Sequence, residues 1–219
     1  MAGRGLLLDF GGVMTSFLSG RMAEFCIQVG LPVGAIVTAL TRTPEGRSVT
    51  ALAEAGMVPQ RDFETMLAPQ LGLPADGLIA LDGVGVPPRA ETADLAQRAR
   101  ASGNPVGLLS NSWGGGGHDV YTGYDLAALF DVVVISHVVG LRKPEPPIFE
   151  RAAAKVGVAP RDCVFVDDTL ANVATGRELG MAAVHFTGQP GQVAEVEQLI
   201  GLRESGARVA DAGVTDAGQ

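Results

Sequence analysis

Gly5-Leu6-Leu7-Leu8-Asp9-Phe10-Gly11-Gly12-Val13 is the stretch on which the reading of this chain turns. A short apolar run that stops at a carboxylate and passes at once into glycines has the pattern of a buried strand in a parallel sheet. Open sheets of that kind bind ligands beyond the carboxyl ends of their strands, so Asp9 is expected at a functional rim. Gly11, two residues on, carries no side chain where a second acid could stand.

Four further runs, Val106–Ser110, Val132–Ser136, Val164–Asp167 and Ala182–Phe186, repeat the pattern of Leu6–Asp9. Stretches of helical length and period separate them, at Ala90–Ala101, Leu126–Phe130, Pro147–Val156 and Leu170–Leu179. Alternating strand and helix predicts an α/β fold with a central parallel sheet and right-handed crossovers. Residues 10–105, between the first and second runs, exceed what one crossover helix needs. They carry helical patches at Arg21–Val29, Val33–Leu40, Arg47–Glu54 and Gln60–Leu67, punctuated by Pro32, Pro44, Pro59, Pro69 and Pro74. The expected organisation is a core of residues 1–15 and 89–203, an inserted helical lobe of residues 16–88 that rejoins the core through a hinge at Gly83–Pro88, and a weakly patterned, flexible tail at 204–219.

With 219 residues, 47% of them apolar, the chain can bury a sizeable core. Its net charge of −8 repels nucleic acid and anionic membrane, so neither is an expected partner. No apolar run approaches the roughly 18 residues of a membrane span, and the first run stops at Asp9, too short for a secretory signal. A cytoplasmic location is the expectation. The two cysteines, Cys26 and Cys163, make no disulfide framework, and Cys163 lies in an apolar run as a buried small residue.

The remaining strand ends carry the chemistry. Ser110-Asn111-Ser112-Trp113, followed by Gly114–Gly117, offers a hydroxyl, an amide and free N–H groups that can hold a phosphate-like anion. An ordinary Ser/Asn turn is the alternative. Lys143 precedes Pro144, which disfavours helix and places the lysine in an extended segment, either as a compact charge near a nucleophile or as a solvated side chain. Asp167 and Asp168 end the fourth run, where paired acids need a cation or serve to cap the next helix, with Asp168 or Thr169 as cap. With Asp9 they form the oxygen-rich set that Mg²⁺ prefers, waters and a substrate phosphate completing the octahedron. His118 could replace the missing acid but reads first as a loop residue, and His137 and His185 read as structural. Trp113 shapes a pocket or simply packs. Arg21, Arg42 and Arg47 are candidate anion contacts from the lobe. Gly83-Val84-Gly85 lacks the context of a dinucleotide site, and there is no GxxxxGK phosphate loop.

In this order, DFGGV, LLSNSW, GLRKPEPPIFE and VFVDDTLANVATGRELGM resemble the motifs of the haloacid dehalogenase superfamily over residues 5–187. They look most like subfamily IA and the group containing the amino-terminal phosphatase domain of soluble epoxide hydrolases. The resemblance implies a Rossmann-like three-layer core with a small helical cap. It implies Asp9 as a nucleophile that becomes an aspartyl phosphate, Ser110 and Asn111 as phosphate-binding residues, and Lys143 as the lysine that offsets the charge on Asp9 and the phosphoryl group. It implies Mg²⁺ held by Asp9, the Gly11 carbonyl and Asp168, with Asp167 in the outer shell. Most phosphatases of the family carry an acid where Gly11 stands, and some members have glycine. That loss makes turnover slow, selects leaving groups that need no proton, such as glycosyl, acyl or aryl groups, or leaves protonation to another residue.

The expected function is Mg²⁺-dependent hydrolysis of a small phosphorylated metabolite. The alternatives are a 2-haloacid dehalogenase-type hydrolase, which needs neither the acid nor a metal, and a catalytically weak binding or regulatory protein. The exposed side of the cap could support a homodimer.

Overall fold

The computed structural model describes residues 3–16, 18–74, 78, 88–114 and 120–202, with the side chains of Leu18 and Arg21 excepted. The tail 204–219, residues 83–87 of the expected hinge, glycines 115–117 and His118 therefore lie outside the described residues.

Five strands, β1 (Gly5–Leu8), β2 (Val106–Ser110), β3 (Val132–Ile135), β4 (Cys163–Asp167) and β5 (Ala182–His185), pair in parallel in the order β3-β2-β1-β4-β5. β1 is held on both sides, Leu7 opposite Gly107 in β2 and opposite Phe165 in β4. Strands covered on both faces read as continuous apolar runs, which explains Leu6-Leu7-Leu8. Alternate side chains go to opposite faces. Leu6, Leu8, Val164 and Val166 pack with α5 (Ala90–Ala101) and α10 (Gln192–Ile200), whereas Leu7, Leu109 and Phe165 pack with α8 (Pro146–Val156) and α9 (Leu170–Glu178). The result is a three-layer α/β/α core with an apolar cluster on each face of the sheet, fully buried at the central strands and partly at the edge strands. Each fully buried leucine or phenylalanine contributes roughly 1.5–3 kcal/mol.

Among the described residues four α-helices fall between β1 and α5: α1 (Leu18–Gln28), α2 (Ala35–Thr41), α3 (Pro44–Glu54) and α4 (Gln60–Leu67). They enclose an apolar cluster of their own, including Phe25, Ile36, Val49, Phe63 and Leu67, against which Trp113 packs. The start of α3 is set locally: the Thr43 hydroxyl accepts the Gly46 N–H at 3.0 Å and Pro44 sits in the first turn. The chain leaves the sheet layer and returns to it at one point. Thr15 and Pro88 form an antiparallel bridge, and the Arg89 N–H donates to the Met14 carbonyl at 2.8 Å.

Two short α-helices, α6 (Leu126–Leu129) and α7 (Ser136–Val139), and the 3₁₀ turns Ala68–Leu71 and Pro160–Asp162 also belong to the described chain. The third apolar run ends one residue earlier than expected, because Ser136 begins α7. α10, for which no helical stretch was expected, carries the Val196 and Ile200 contacts that cover one face of the sheet. No described helix is long and apolar enough to cross a membrane. Cys26 and Cys163 are free and buried.

Candidate active site

The strand order reverses between β1 and β4, since the chain runs outward from β1 through β2 to β3 and then returns to β1's other side. Ligands of open α/β sheets bind beyond the carboxyl ends at such a switch point. Asp9 follows β1 there and Asp167 ends β4 beside it, with the Asp9 N–H donating to the Val166 carbonyl at 2.9 Å. The carboxylate of Asp9 caps the turn that follows, Oδ1 accepting the Phe10 N–H at 2.7 Å. That turn opens at Gly11 (φ −65°, ψ 129°) and Gly12 (φ 75°, ψ −17°). Gly12 needs its left-handed backbone, and a Cβ there would stand 2.3 Å from Asp168 Oδ2. Gly11 adopts an ordinary extended conformation open to any residue.

Lys143 is 1% exposed and every ammonium proton has an acceptor: Asp9 Oδ1 at 2.7 Å, Asp167 Oδ2 at 2.6 Å and the Leu109 carbonyl at 2.9 Å. The expected extended segment is a tight turn. Lys143 and Pro144, joined by a cis peptide, occupy its centre, and the Glu145 N–H donating to the Arg142 carbonyl at 2.9 Å closes it. Burial pulls the lysine down, but Asp167 and Asp9 more than offset this and hold it above the ordinary range. Burial and the Asp167 charge push the Asp9 carboxyl up to about 8, against the opposing pull of Lys143.

Asp167 is fully buried and engaged on both oxygens. Oδ1 accepts the Thr169 N–H at 2.8 Å, Oδ2 accepts Lys143, and the Asn172 amide donates to each, at 3.0 and 3.1 Å. Thr169 occupies the cap position of α9 without a side-chain capping bond; its hydroxyl donates instead to Asp168 Oδ1 at 3.2 Å. The carbonyl of Asp168 accepts the His185 Nε2–H at 3.0 Å, which ties the end of β5 to this loop. Burial, then the Asp167 charge, raises the Asp168 carboxyl.

One oxygen from each of Asp9, Asp167 and Asp168 lies within 4.8 Å of the others. Three clustered carboxylates with one ammonium leave surplus negative charge, and burial first, then that charge, raises the carboxyls of Asp9 and Asp168. A set of hard oxygen donors with uncompensated negative charge fits a small divalent cation.

Ser110 ends β2 and is buried; its hydroxyl accepts the Tyr121 O–H at 2.8 Å. Tyr121, pushed up to about 12 chiefly by burial, stays a donor, and the Ser110 hydroxyl in turn donates to the Asn111 carbonyl at 3.3 Å. The Tyr121 ring packs edge-on against Phe10 at 4.6 Å. The Asn111 amide serves the Lys143 turn and Glu54: Nδ2 donates to the Lys143 carbonyl and Oδ1 accepts its N–H, both at 2.9 Å, and the amide also bonds to the Glu54 carboxyl. Any role of Asn111 in holding an anion therefore falls to its main-chain N–H. Arg42 and Arg47 are exposed and the structure does not bring them to this cluster; the side chain of Arg21 lies outside the described residues. Trp113 packs on Phe63 with ring centroids 4.8 Å apart. Sequence reasoning missed Tyr121, Asn172 and the His185 contact, since none belongs to a strand-end acid or lysine pattern.

The protein is similar to phosphatase MT3486 of Mycobacterium tuberculosis, 30% identical over 188 residues that cover 81% of this chain and 84% of that protein. It is also similar to sesquiterpene phosphatase astK of Aspergillus oryzae, 27% identical over 68% of this chain and 77% of the other. Its fold matches that of the HAD-family enzyme bt-2542 from Bacteroides thetaiotaomicron, solved with magnesium and inorganic phosphate. The TM-score is 0.63 at 22% identity, covering 87% of this chain and 98% of that one. A model of haloacid dehalogenase-like hydrolases matches residues 4–180. The chain belongs to the haloacid dehalogenase-like hydrolase family.

Proposed function

We propose that the protein is a phosphatase that hydrolyses a small phosphomonoester through an aspartyl phosphate on Asp9, with Mg²⁺ as cofactor. The observation that carries this reading is the buried Lys143 ammonium shared by Asp9 and Asp167 beside the further carboxylate of Asp168. The arrangement pairs a nucleophile with a cation and adds an oxygen-donor site for a second one. The phosphatase relatives and the magnesium and phosphate in the bt-2542 structure support it.

Asp9 Oδ1 is occupied by Phe10 and Lys143, and no described residue donates to Oδ2. Oδ2 is the attacking atom: it forms a bond to phosphorus while the ester P–O bond breaks and the leaving oxygen keeps its electron pair. Water then attacks the same phosphorus, which releases phosphate and restores the carboxylate. Lys143 offsets the repulsion between carboxylate and phosphate dianion, and the Ser110 hydroxyl and Asn111 N–H bind phosphoryl oxygens. Mg²⁺, held by Asp9, Asp168 and the Gly11 carbonyl with Asp167 in the outer shell, would supply charge neutralisation and orientation. With Gly11 contributing no acid, glycosyl, acyl and aryl phosphates are the favoured substrates. Residues 16–88 form the cap that selects the substrate over Asp9, residues 1–15 and 89–203 the core.

Hydrolysis of an aryl phosphate tests the proposal. It should require Mg²⁺ and vanish in Asp9→Asn. Metal-independent halide release from 2-chloropropionate would replace this reading by a dehalogenase, which Gly11 would also suit. Absence of both activities in folded protein would leave a binding role.

A further inference from the structure

The four-helix segment exchanges charge with the strand-end rim through Glu54, the last residue of α3. Its Oε2 accepts Arg142 Nε–H at 2.8 Å and lies 2.6 Å from Nη2. The Glu54 side chain is only 14% exposed, so the pair is largely withdrawn from water. Burial raises the Glu54 carboxyl, while Arg142, Lys143 and a hydrogen bond from Asn111 pull it down. Arg142 is the residue before Lys143 and accepts the bond that closes the lysine's turn. Asn111 grips the same turn from the tip of β2 by its reciprocal bonds to the Lys143 backbone.

A second contact joins the same parts of the chain. Gly56, just past α3, has φ +69°, and a Cβ there would meet the His137 carbonyl oxygen at 2.3 Å. The end of α3 is thus seated directly on α7 and on the Lys143 turn. Glu54 and Arg142, 88 residues apart, are the ionic part of that seating.

We propose that Glu54 is a positioning residue for Lys143: through Arg142 it fixes the turn that aims the ammonium at Asp9, so the seating of the helical cap sets the charge beside the nucleophile. The kinetic consequence rests on the phosphatase reading above, but the structural one does not. A lysine shifted by about 1 Å can cost on the order of 100-fold in rate when it acts on developing charge. Ser110 holds the phosphoryl group independently, so the loss falls on kcat rather than KM.

The test uses the full chain and the variants Glu54→Gln, Arg142→Met, their combination, and Glu45→Gln as a control that removes a charge from the exposed start of the same helix. Lys143 and Lys155 are the two lysines of the sequence, so ¹⁵N-lysine labelling gives two side-chain ammonium signals. The Lys143 signal should shift and exchange faster in Glu54→Gln and Arg142→Met, and stay in place in Glu45→Gln. On an aryl phosphate, kcat should fall about tenfold in each single variant with KM within about twofold, and the combination should lose no more than either. An unmoved Lys143 signal overturns the proposal whether or not the protein is a phosphatase. Losses that multiply in the combination overturn it as well. A shifted signal in a protein without phosphatase activity upholds the positioning role and refutes only the functional reading.

Discussion

Replacing Lys143 by methionine is the sharpest perturbation of this site. The ammonium is 1% exposed and bonds to Asp9, Asp167 and the Leu109 carbonyl at 2.6–2.9 Å. Methionine preserves much of the volume but leaves the fully buried Asp167 beside Asp9 without a counter-charge. Removing one partner of a buried ion pair costs about 3–5 kcal/mol, a large share of the roughly 5–15 kcal/mol that stabilises a typical protein. For a chain of this size each kcal/mol lowers Tm by about 2–4 °C, so the expected fall is roughly 6–20 °C. Its pH dependence follows from Asp9, whose carboxyl moves from 3.8 to about 8 on folding. Between these values the folded form holds the extra proton. The stability contributed by the protonated carboxyl is fully present below about pH 4 and is lost as pH rises through about 8. Lys143 lowers the Asp9 value, so its removal raises it further, and the loss in Tm should be smaller at pH 5 than at pH 8. Thermal melts of metal-free wild type and variant at both pH values measure this, and Asp167→Asn added to Lys143→Met should recover part of the loss. A fall of less than about 3 °C, or equal falls at pH 5 and pH 8, would refute the assignment of Lys143 as the counter-charge of both acids.

Gly11→Asp should fold normally, because φ −65° and ψ 129° suit any residue, and it should raise kcat on alkyl phosphates by at least tenfold more than on aryl phosphates. Equal effects on the two classes would count against Gly11 as the position of a missing acid. Gly12→Ala forces φ 75° on a residue with a Cβ and drives that atom against Asp168 Oδ2, so Mg²⁺ affinity by calorimetric titration should fall about tenfold or more; unchanged affinity would remove Asp168 from the metal site. Burial, then Asp162, pushes the Cys163 thiol up to about 11, and Cys26 is equally buried, so neither should react with a disulfide reagent at pH 8 until guanidinium exposes both. Rapid labelling of Cys163 in the native protein would contradict its place in the core.

The five strands were legible because a strand buried on both faces must be continuously apolar and must end where a polar residue reaches the rim. Asp9, Ser110 and Asp167 each mark such an end, and parallel pairing alone then gathers them on one edge of the sheet. α10 was not legible in advance, and its inward Val196 and Ile200 gain their meaning from the sheet face that they cover. The family resemblance carried by these local motifs is what implied a nucleophile at Asp9, a Mg²⁺ site and a missing acid at Gly11, and these stand as parts of the proposed function. What the side chains do to one another was not legible, because a hydrogen bond has no sequence period. Asn111 looked like an anion ligand, yet its amide closes on a backbone 32 residues away. Glu54 was the unremarkable end of a helix until folding set it against Arg142, and His185 an ordinary strand residue until its N–H met Asp168. Local pattern determined which acids reach the rim, since burial and backbone period act over a few residues. Tertiary structure decided how those acids are charged and held, since desolvation and ion pairing depend on neighbours that only the complete fold brings within about 3 Å.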